Sequence, residues 1–265
     1  MGTKTININN SIVHYTLNGV GRPVVLLHGF GEDGSVWDNQ VEYLRHNYQV
    51  IVPDIPGSGQ SELTDDVSME GIADVVKRII DAEELESVAL IGHSMGGYAT
   101  LAFAEKYPHA LDGFGLFHST AAADSEEKKE IRRKGIAFIE KNGANAFLQT
   151  TIPNLFSEPT KATDPDLIKN FTASLPDFSK TALKSYYEAM IARPERIDLF
   201  SKTELPVLFI IGEKDAIISF EDVLKQASMP RISYIHILHQ SGHMGMLEEA
   251  EKANAAIEEF LMELK

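Results

Sequence analysis

Val88-Ala89-Leu90-Ile91-Gly92-His93-Ser94-Met95-Gly96 is the stretch whose reading decides this chain. An apolar run ends in Gly-x-Ser-x-Gly, and a helical pattern from Gly97 to Tyr107 follows. Strand, tight turn and helix in that order lift a serine to the apex of a sharp bend. Gly92 and Gly96 fit such a bend, whose flanks leave little room for side chains. Ser94 would also sit at a helix N-terminus, where free N–H groups favour developing negative charge. A plainer reading makes Ser94 an N-cap and the glycines mere turn residues, so the rest of the chain has to decide.

A hydroxyl is a poor nucleophile at neutral pH. It needs a base, and the base needs an orienting carboxylate. After this kind of turn the expected order is serine, acid, histidine. Leu205 to Ile211 reads as a buried strand that runs into Gly212-Glu213-Lys214-Asp215. Asp215 then lies past a strand's carboxyl end, where open α/β sheets bind ligands. Glu213 is the rival acid, and the shorter Asp215, further along the loop, is favoured. Ile232 to Leu238 reads as a last strand, followed by His239-Gln240-Ser241-Gly242-His243. His243 is favoured over His239 because Gly242 frees the backbone to present the ring.

Pro23 to Leu27 is another apolar run, and it ends in His28-Gly29-Phe30-Gly31. Attack of Ser94 on a carbonyl creates an oxyanion that needs prearranged donors. The backbone N–H of Met95 is one candidate, and that of Phe30 is the other. An ordinary glycine-rich strand-to-helix turn is the alternative for this segment.

Taken together, His28-Gly29-Phe30-Gly31, Ser35-Val36-Trp37, Asp54-Ile55-Pro56-Gly57-Ser58-Gly59-Gln60-Ser61, Gly92 to Gly97, Gly212 to Asp215 and Gly242-His243 resemble the α/β-hydrolase superfamily. The likeness is strongest to small esterase, haloperoxidase-like and enol-lactonase-like members. It implies a Ser94–His243–Asp215 triad with Phe30 and Met95 as oxyanion donors. Haloalkane dehalogenases of this fold carry aspartate at the nucleophile, so Ser94 argues against that activity. No metal or organic cofactor is implied.

Composition agrees with a soluble globular chain. The 265 residues are 43% hydrophobic and 24% charged, with a net charge of −15 and no cysteine. One α/β domain of this length buries a substantial core. The acidic balance makes nucleic acid and anionic membranes unfavourable partners and favours neutral small-molecule substrates. The absence of cysteine excludes disulfides and thiolate metal sites. The polar stretch Met1 to Asn10 lacks a signal-peptide core, and no apolar run reaches the roughly 20 residues of a membrane span, so a cytoplasmic location is the default expectation. Oligomeric state is not readable from the sequence.

Strand and helix patterns alternate in the first part: strands at Ile12–Leu17, Tyr48–Asp54 and Leu111–Phe117, and a helix at Met69–Ala82. Alternation of this kind predicts a mostly parallel sheet with helices on both faces. The pattern breaks from about Ala121 to Ser201, where helices are expected at Ser125–Lys141, Asp166–Ser174 and Ser179–Ala192. The predicted organisation is therefore an α/β-hydrolase core, 1–120 and 202–265, with a helical cap, 121–201, inserted between the sixth and seventh strands.

Within that cap, Phe147 and Phe156 are expected at an acyl pocket, while most of its large apolar residues form its own core. The basic run Lys128, Lys129, Arg132, Arg133 and Lys134 reads as a solvated face balanced by Glu126, Glu127 and Glu130. Arg193 either binds a substrate carboxylate, as in carbon–carbon hydrolases of this fold, or ends a helix in a salt bridge. Trp37 either walls the pocket or packs near it, His118 edges it, and His93 packs beside the serine. The expected activity is hydrolysis of carboxylic esters through an acyl-enzyme on Ser94. Carbon–carbon or lactone hydrolysis on the same triad, and a hydrolase-fold receptor with little turnover, stay open.

Overall fold

A computed structural model of the chain describes residues 2–264. Met1 and Lys265, the outermost residues of the two core ranges expected from the sequence, lie outside the described residues. Eight strands form one sheet: β1 (Gly2–Ile8), β2 (Ser11–Asn18), β3 (Arg22–Leu27), β4 (Tyr48–Pro53), β5 (Val88–His93), β6 (Leu111–Phe117), β7 (Val207–Gly212) and β8 (Ser233–Leu238). Their order is β1-β2-β4-β3-β5-β6-β7-β8. β1 and β2 pair antiparallel, as do β2 and β4, and every other pair is parallel.

The apolar runs of the central strands explain this arrangement. Val24–Leu27, Val88–Ile91 and Val207–Ile211 are buried throughout, which requires cover on both faces. The chain runs from β3 outward to β4, then returns to β5 on β3's other side. Right-handed crossovers therefore place α1 (Asp38–Leu44) on one face and α2 (Met69–Ala82) and α3 (Met95–Lys106) on the other. The winding of the chain across the sheet reverses between the parallel β3 and β5, which opens a crevice at their carboxyl ends, and the Phe30 and Ser94 loops both emerge there.

Between β6 and β7 the chain is helical: α4 (Glu126–Asn142), α5 (Ala144–Thr151), α6 (Glu158–Thr163), α7 (Pro165–Ser174), α8 (Lys180–Ala192) and α9 (Ile197–Lys202). Tyr186 on α8 is fully buried and donates to Pro56 O at 2.6 Å, which ties this helical segment to the loop after β4. After β7 come α10 (Phe220–Ala227), then α11 (Gly245–Glu248) and α12 (Ala250–Glu263) beyond β8. The stretch Met246–Leu264, one amphipathic run in the sequence, is broken at Glu249, whose backbone is non-helical. Among the described residues no helix is long and apolar enough to cross a membrane.

Candidate active site

Ser94 links β5 to α3 with φ 49° and ψ −112°. A non-glycine residue in such a conformation costs on the order of 1–3 kcal/mol and persists only where its surroundings over-determine it. They do so here. Ser94 N–H donates to Phe117 O at 3.0 Å, and its carbonyl accepts from Gly97 N–H at 3.0 Å and Ser119 Oγ at 2.7 Å. The flanking glycines are sterically required: a Cβ on Gly92 would run into Gly96 O, and one on Gly96 would lie 2.5 Å from the carbonyl oxygens of Leu27 and His28.

His243 and Asp215 arrive from two separate loops. His243 Nδ1 lies 2.7 Å from Asp215 Oδ2, with both side chains almost wholly buried. The other carboxylate oxygen of Asp215 accepts from Ile217 N–H at 2.7 Å and Ile218 N–H at 3.0 Å. Burial pushes the Asp215 carboxyl up, but the adjacent imidazole and these donors outweigh it and hold the pKa at about 2. Burial pushes the His243 ring down, and the attraction and hydrogen bond of Asp215 reverse this, leaving the pKa above its ordinary value. With Nδ1–H directed to Asp215, Nε2 is the ring's free acceptor.

Two carboxylates that the sequence reading passed over fix the His243 loop. Glu248 accepts from Gly242 N–H, Met244 N–H, Ser157 N–H and Thr160 Oγ, so it clamps this loop to the helical segment. Glu249 accepts from Gln240 N–H and Ser241 Oγ, each at 2.8 Å. His243 N–H itself donates to Leu155 O at 2.7 Å.

Ser94, His243 and Phe30 line one cavity of about 570 Å³, roofed by α4, α5 and α8 and walled chiefly by apolar side chains. Neither the Phe30 N–H nor the Met95 N–H donates to another protein group among the described residues. Phe30 stacks on Tyr187 at 4.3 Å between ring centroids and meets Phe147 edge-on at 6.3 Å.

The sequence matches the family described as alpha/beta hydrolase fold over residues 22–250. The chain belongs to the alpha/beta hydrolase fold family. Among its relatives in this family, the (E)-2-((N-methylformamido)methylene)succinate hydrolase of Acinetobacter baylyi is 29% identical over 269 residues, covering 98% of each chain. The 2-hydroxy-6-oxo-6-phenylhexa-2,4-dienoate hydrolase of Comamonas testosteroni is 24% identical, covering 96% of this chain and 93% of its own. A thermophilic esterase from Thermogutta terrifontis, solved with malate bound, superposes with a TM-score of 0.92 at 30% identity over 99% of this chain and 98% of its own.

The structure decides the alternatives left open for Arg193, a salt-bridged helix end, and Trp37, a packing residue, and it corrects the expectations for Arg132, Phe156 and His118. Arg193 does not line the cavity. It is buried behind Tyr98, its guanidinium 3.8 Å from that ring's centroid, paired with Asp124 at 3.0 Å and donating to Met190 O and Ala122 O. Arg132, read from the sequence as part of a solvated face, instead lines the cavity and is largely buried against Asp124. Phe156 does not reach the cavity either; it packs on Phe171 at 6.1 Å. Trp37 is fully buried against Phe117 rather than walling the pocket. His118 lies behind the site, where Nδ1 accepts from Gly212 N–H at 2.9 Å. Burial holds its pKa well below the usual value.

His93 does more than pack. Its Nε2 lies 2.9 Å from His243 O and its Nδ1 lies 3.0 Å from Glu32 Oε2. The carbonyl accepts only, so Nε2 is the ring nitrogen that donates to it, and Nδ1 faces Glu32. Burial raises the Glu32 pKa, but the charge and hydrogen bond of His93 and the Gly29 N–H bring it below the ordinary value. Glu32 also lines the cavity and was missed in the sequence, although an acid directly after His-Gly-x-Gly was the available signal.

Proposed function

We propose that this protein is a serine-dependent hydrolase of carboxylic esters, with Ser94 as nucleophile, His243 as base, Asp215 as orienting acid and the N–H groups of Phe30 and Met95 as oxyanion donors. The observation that carries the proposal is the buried His243–Asp215 pair on the same cavity as a serine held at positive φ. Ser94 attacks the ester carbonyl while His243 Nε2 takes its proton. Asp215 keeps the proton on Nδ1 and stabilises the imidazolium that forms. The oxyanion is held by the two backbone donors. His243 then protonates the leaving alcohol and activates the water that frees the acyl group, so atoms and protons balance over the cycle.

Residues 121–201 serve in this reading as a cap. An enclosed apolar roof suits short and medium acyl groups and disfavours emulsified long chains. A panel of short 4-nitrophenyl esters tests the proposal: the wild type turns them over and Ser94→Ala does not. A stoichiometric burst without turnover would instead mark a receptor that has kept the triad.

Carbon–carbon or lactone hydrolysis on the same triad is the second reading, and the name of the Comamonas relative, a hydrolase of an oxo-dienoate with no ester or amide bond, favours the carbon–carbon form. The burial of Arg193 behind Tyr98 counts against the carbon–carbon form in which that arginine binds the substrate carboxylate.

A further inference from the structure

The cavity carries a charge opposite to that of the protein. The chain has a net charge of −15, yet the Lys, Arg, Asp and Glu side chains on the cavity wall are Lys128, Arg132, Lys134 and Glu32. Lys128, Ile131, Arg132, Gly135 and Phe138 follow helical spacing, so one stripe of α4 faces the cavity. The neighbouring cations Lys129 and Arg133, off that stripe, pair with Glu126 and Glu130 in solvent. Lys128 and Lys134 have no carboxylate within 4.0 Å among the described residues, and Lys128 Nζ reaches Ile217 O at 3.3 Å, in the loop that carries Asp215.

Arg132 is the residue that makes this more than a surface cluster. Its Nε donates to Asp124 Oδ2 at 2.5 Å and its Nη2 to Asp124 Oδ1 at 3.3 Å. Asp124 Oδ1 also receives Arg193 at 3.0 Å, with the Arg193 and Asp124 side chains 4% and 1% exposed. Two guanidinium groups thus share one buried carboxylate, which leaves one positive charge uncompensated. Arg193 also donates through Nη1 to Met190 O and through Nη2 to Ala122 O. Arg132 Nη1 makes no hydrogen bond among the described residues, and Arg132 is the member of the trio on the cavity wall. Asp124 and the Tyr187 ring, 5.5 Å away, hold the guanidinium in place. A largely buried guanidinium with an open edge and excess charge is a carboxylate receptor.

We infer that Arg132, supported by Lys128, anchors a carboxylate on the substrate, so that the esters this cavity takes best are half-esters of short dicarboxylic acids. The inference rests on the ester-hydrolase reading and departs from the expectation of neutral substrates. Monoethyl glutarate and its neutral isostere ethyl 5-oxohexanoate are the paired substrates, followed by ethanol release. Binding of glutarate is measured separately by calorimetry. In the wild type kcat/KM is at least tenfold higher for monoethyl glutarate, the difference lies in KM, and glutarate binds. Arg132→Gln, which can still donate to Asp124 but lacks the charge, lowers the acid-to-neutral ratio at least tenfold and weakens glutarate binding equally. Lys128→Gln, an exposed change that keeps the fold if Arg132→Gln does not, lowers both about threefold, and added salt weakens glutarate binding.

A wild type with no preference for the acid and no glutarate binding overturns the inference. So does a preference that Arg132→Gln and Lys128→Gln leave untouched. Glutarate binding that depends on Arg132 without turnover of either ester leaves the anchor standing and rejects the hydrolase reading instead.

Discussion

The Nδ1 of His243 lies 2.7 Å from Oδ2 of Asp215, with the side chains only 3% and 2% exposed. The rival residues form a pair of their own, His239 with Glu213 at 2.6 Å, but that pair stands in solvent at 64% and 36% exposure. Screening leaves such an exposed pair worth little, whereas removal of one buried partner is severe. Asp215→Asn is therefore expected to lower kcat by about 10⁴-fold through loss of the correct tautomer. Glu213→Gln and His239→Ala are expected to stay within about threefold of wild type, as typical of surface changes. Steady-state kinetics on the three variants decides this, and a damaging Glu213→Gln beside a mild Asp215→Asn would reverse the assignment.

The pH profile follows from the direction of the His243 shift. Only the neutral ring accepts the Ser94 proton, and its pKa lies above the ordinary value. The acid limb of kcat/KM is thus expected above the roughly 6.5 of an unperturbed histidine. Asp215→Asn removes the attraction that raised the pKa, so the residual activity has its limb at lower pH. A limb that stays put in Asp215→Asn contradicts the coupling.

The elbow predicts a stability effect. A Cβ on Gly96 meets two backbone carbonyls, which cannot move as a side chain would. Gly96→Ala is expected to cost about 1–3 kcal/mol or more, in the range of overpacking, and to lower activity further by displacing Ser94. Denaturant unfolding measures the first effect and turnover the second.

Phe147 and Phe156 separate pocket from core. Phe147 lines the cavity and contacts Phe30, Tyr187 and Phe138, whereas Phe156 packs away from it. Phe147→Ala is expected to shift the kcat/KM ladder of 4-nitrophenyl esters toward bulkier acyl groups. Phe156→Ala is expected to leave the ladder in place and cost about 3–5 kcal/mol of stability, as for other buried phenylalanines. A ladder that moves with Phe156 and not with Phe147 would misplace the pocket.

The strands that hold the site were legible because they are buried on both faces, and continuous apolar runs such as Val88–Ile91 announce that. β1 was not foreseen: Thr3, Lys4 and Thr5 lie exposed on a sheet edge and carry no apolar signal. Helices as short as α6 and α9 span too few turns for periodicity to register. The candidate Ser94, Asp215, His243, Phe30 and Met95 were named from motifs, since each follows a strand end. Glu248, Glu249 and Asp124 were not, because their roles arise from loops and helices brought together only by the fold. Arg132 was misread for the same reason: local spacing to Glu126 and Glu130 suggests a solvated face, and only the placement of α4 over the cavity turns it inward.

Covalent capture of the nucleophile is the most direct test of the central claim. Intact mass followed by peptide mapping after treatment with a fluorophosphonate is expected to give one adduct, on Ser94, with loss of all ester turnover. The same treatment of Ser94→Ala is expected to leave the mass unchanged. An adduct on another serine, or labelling that persists in Ser94→Ala, would contradict the account.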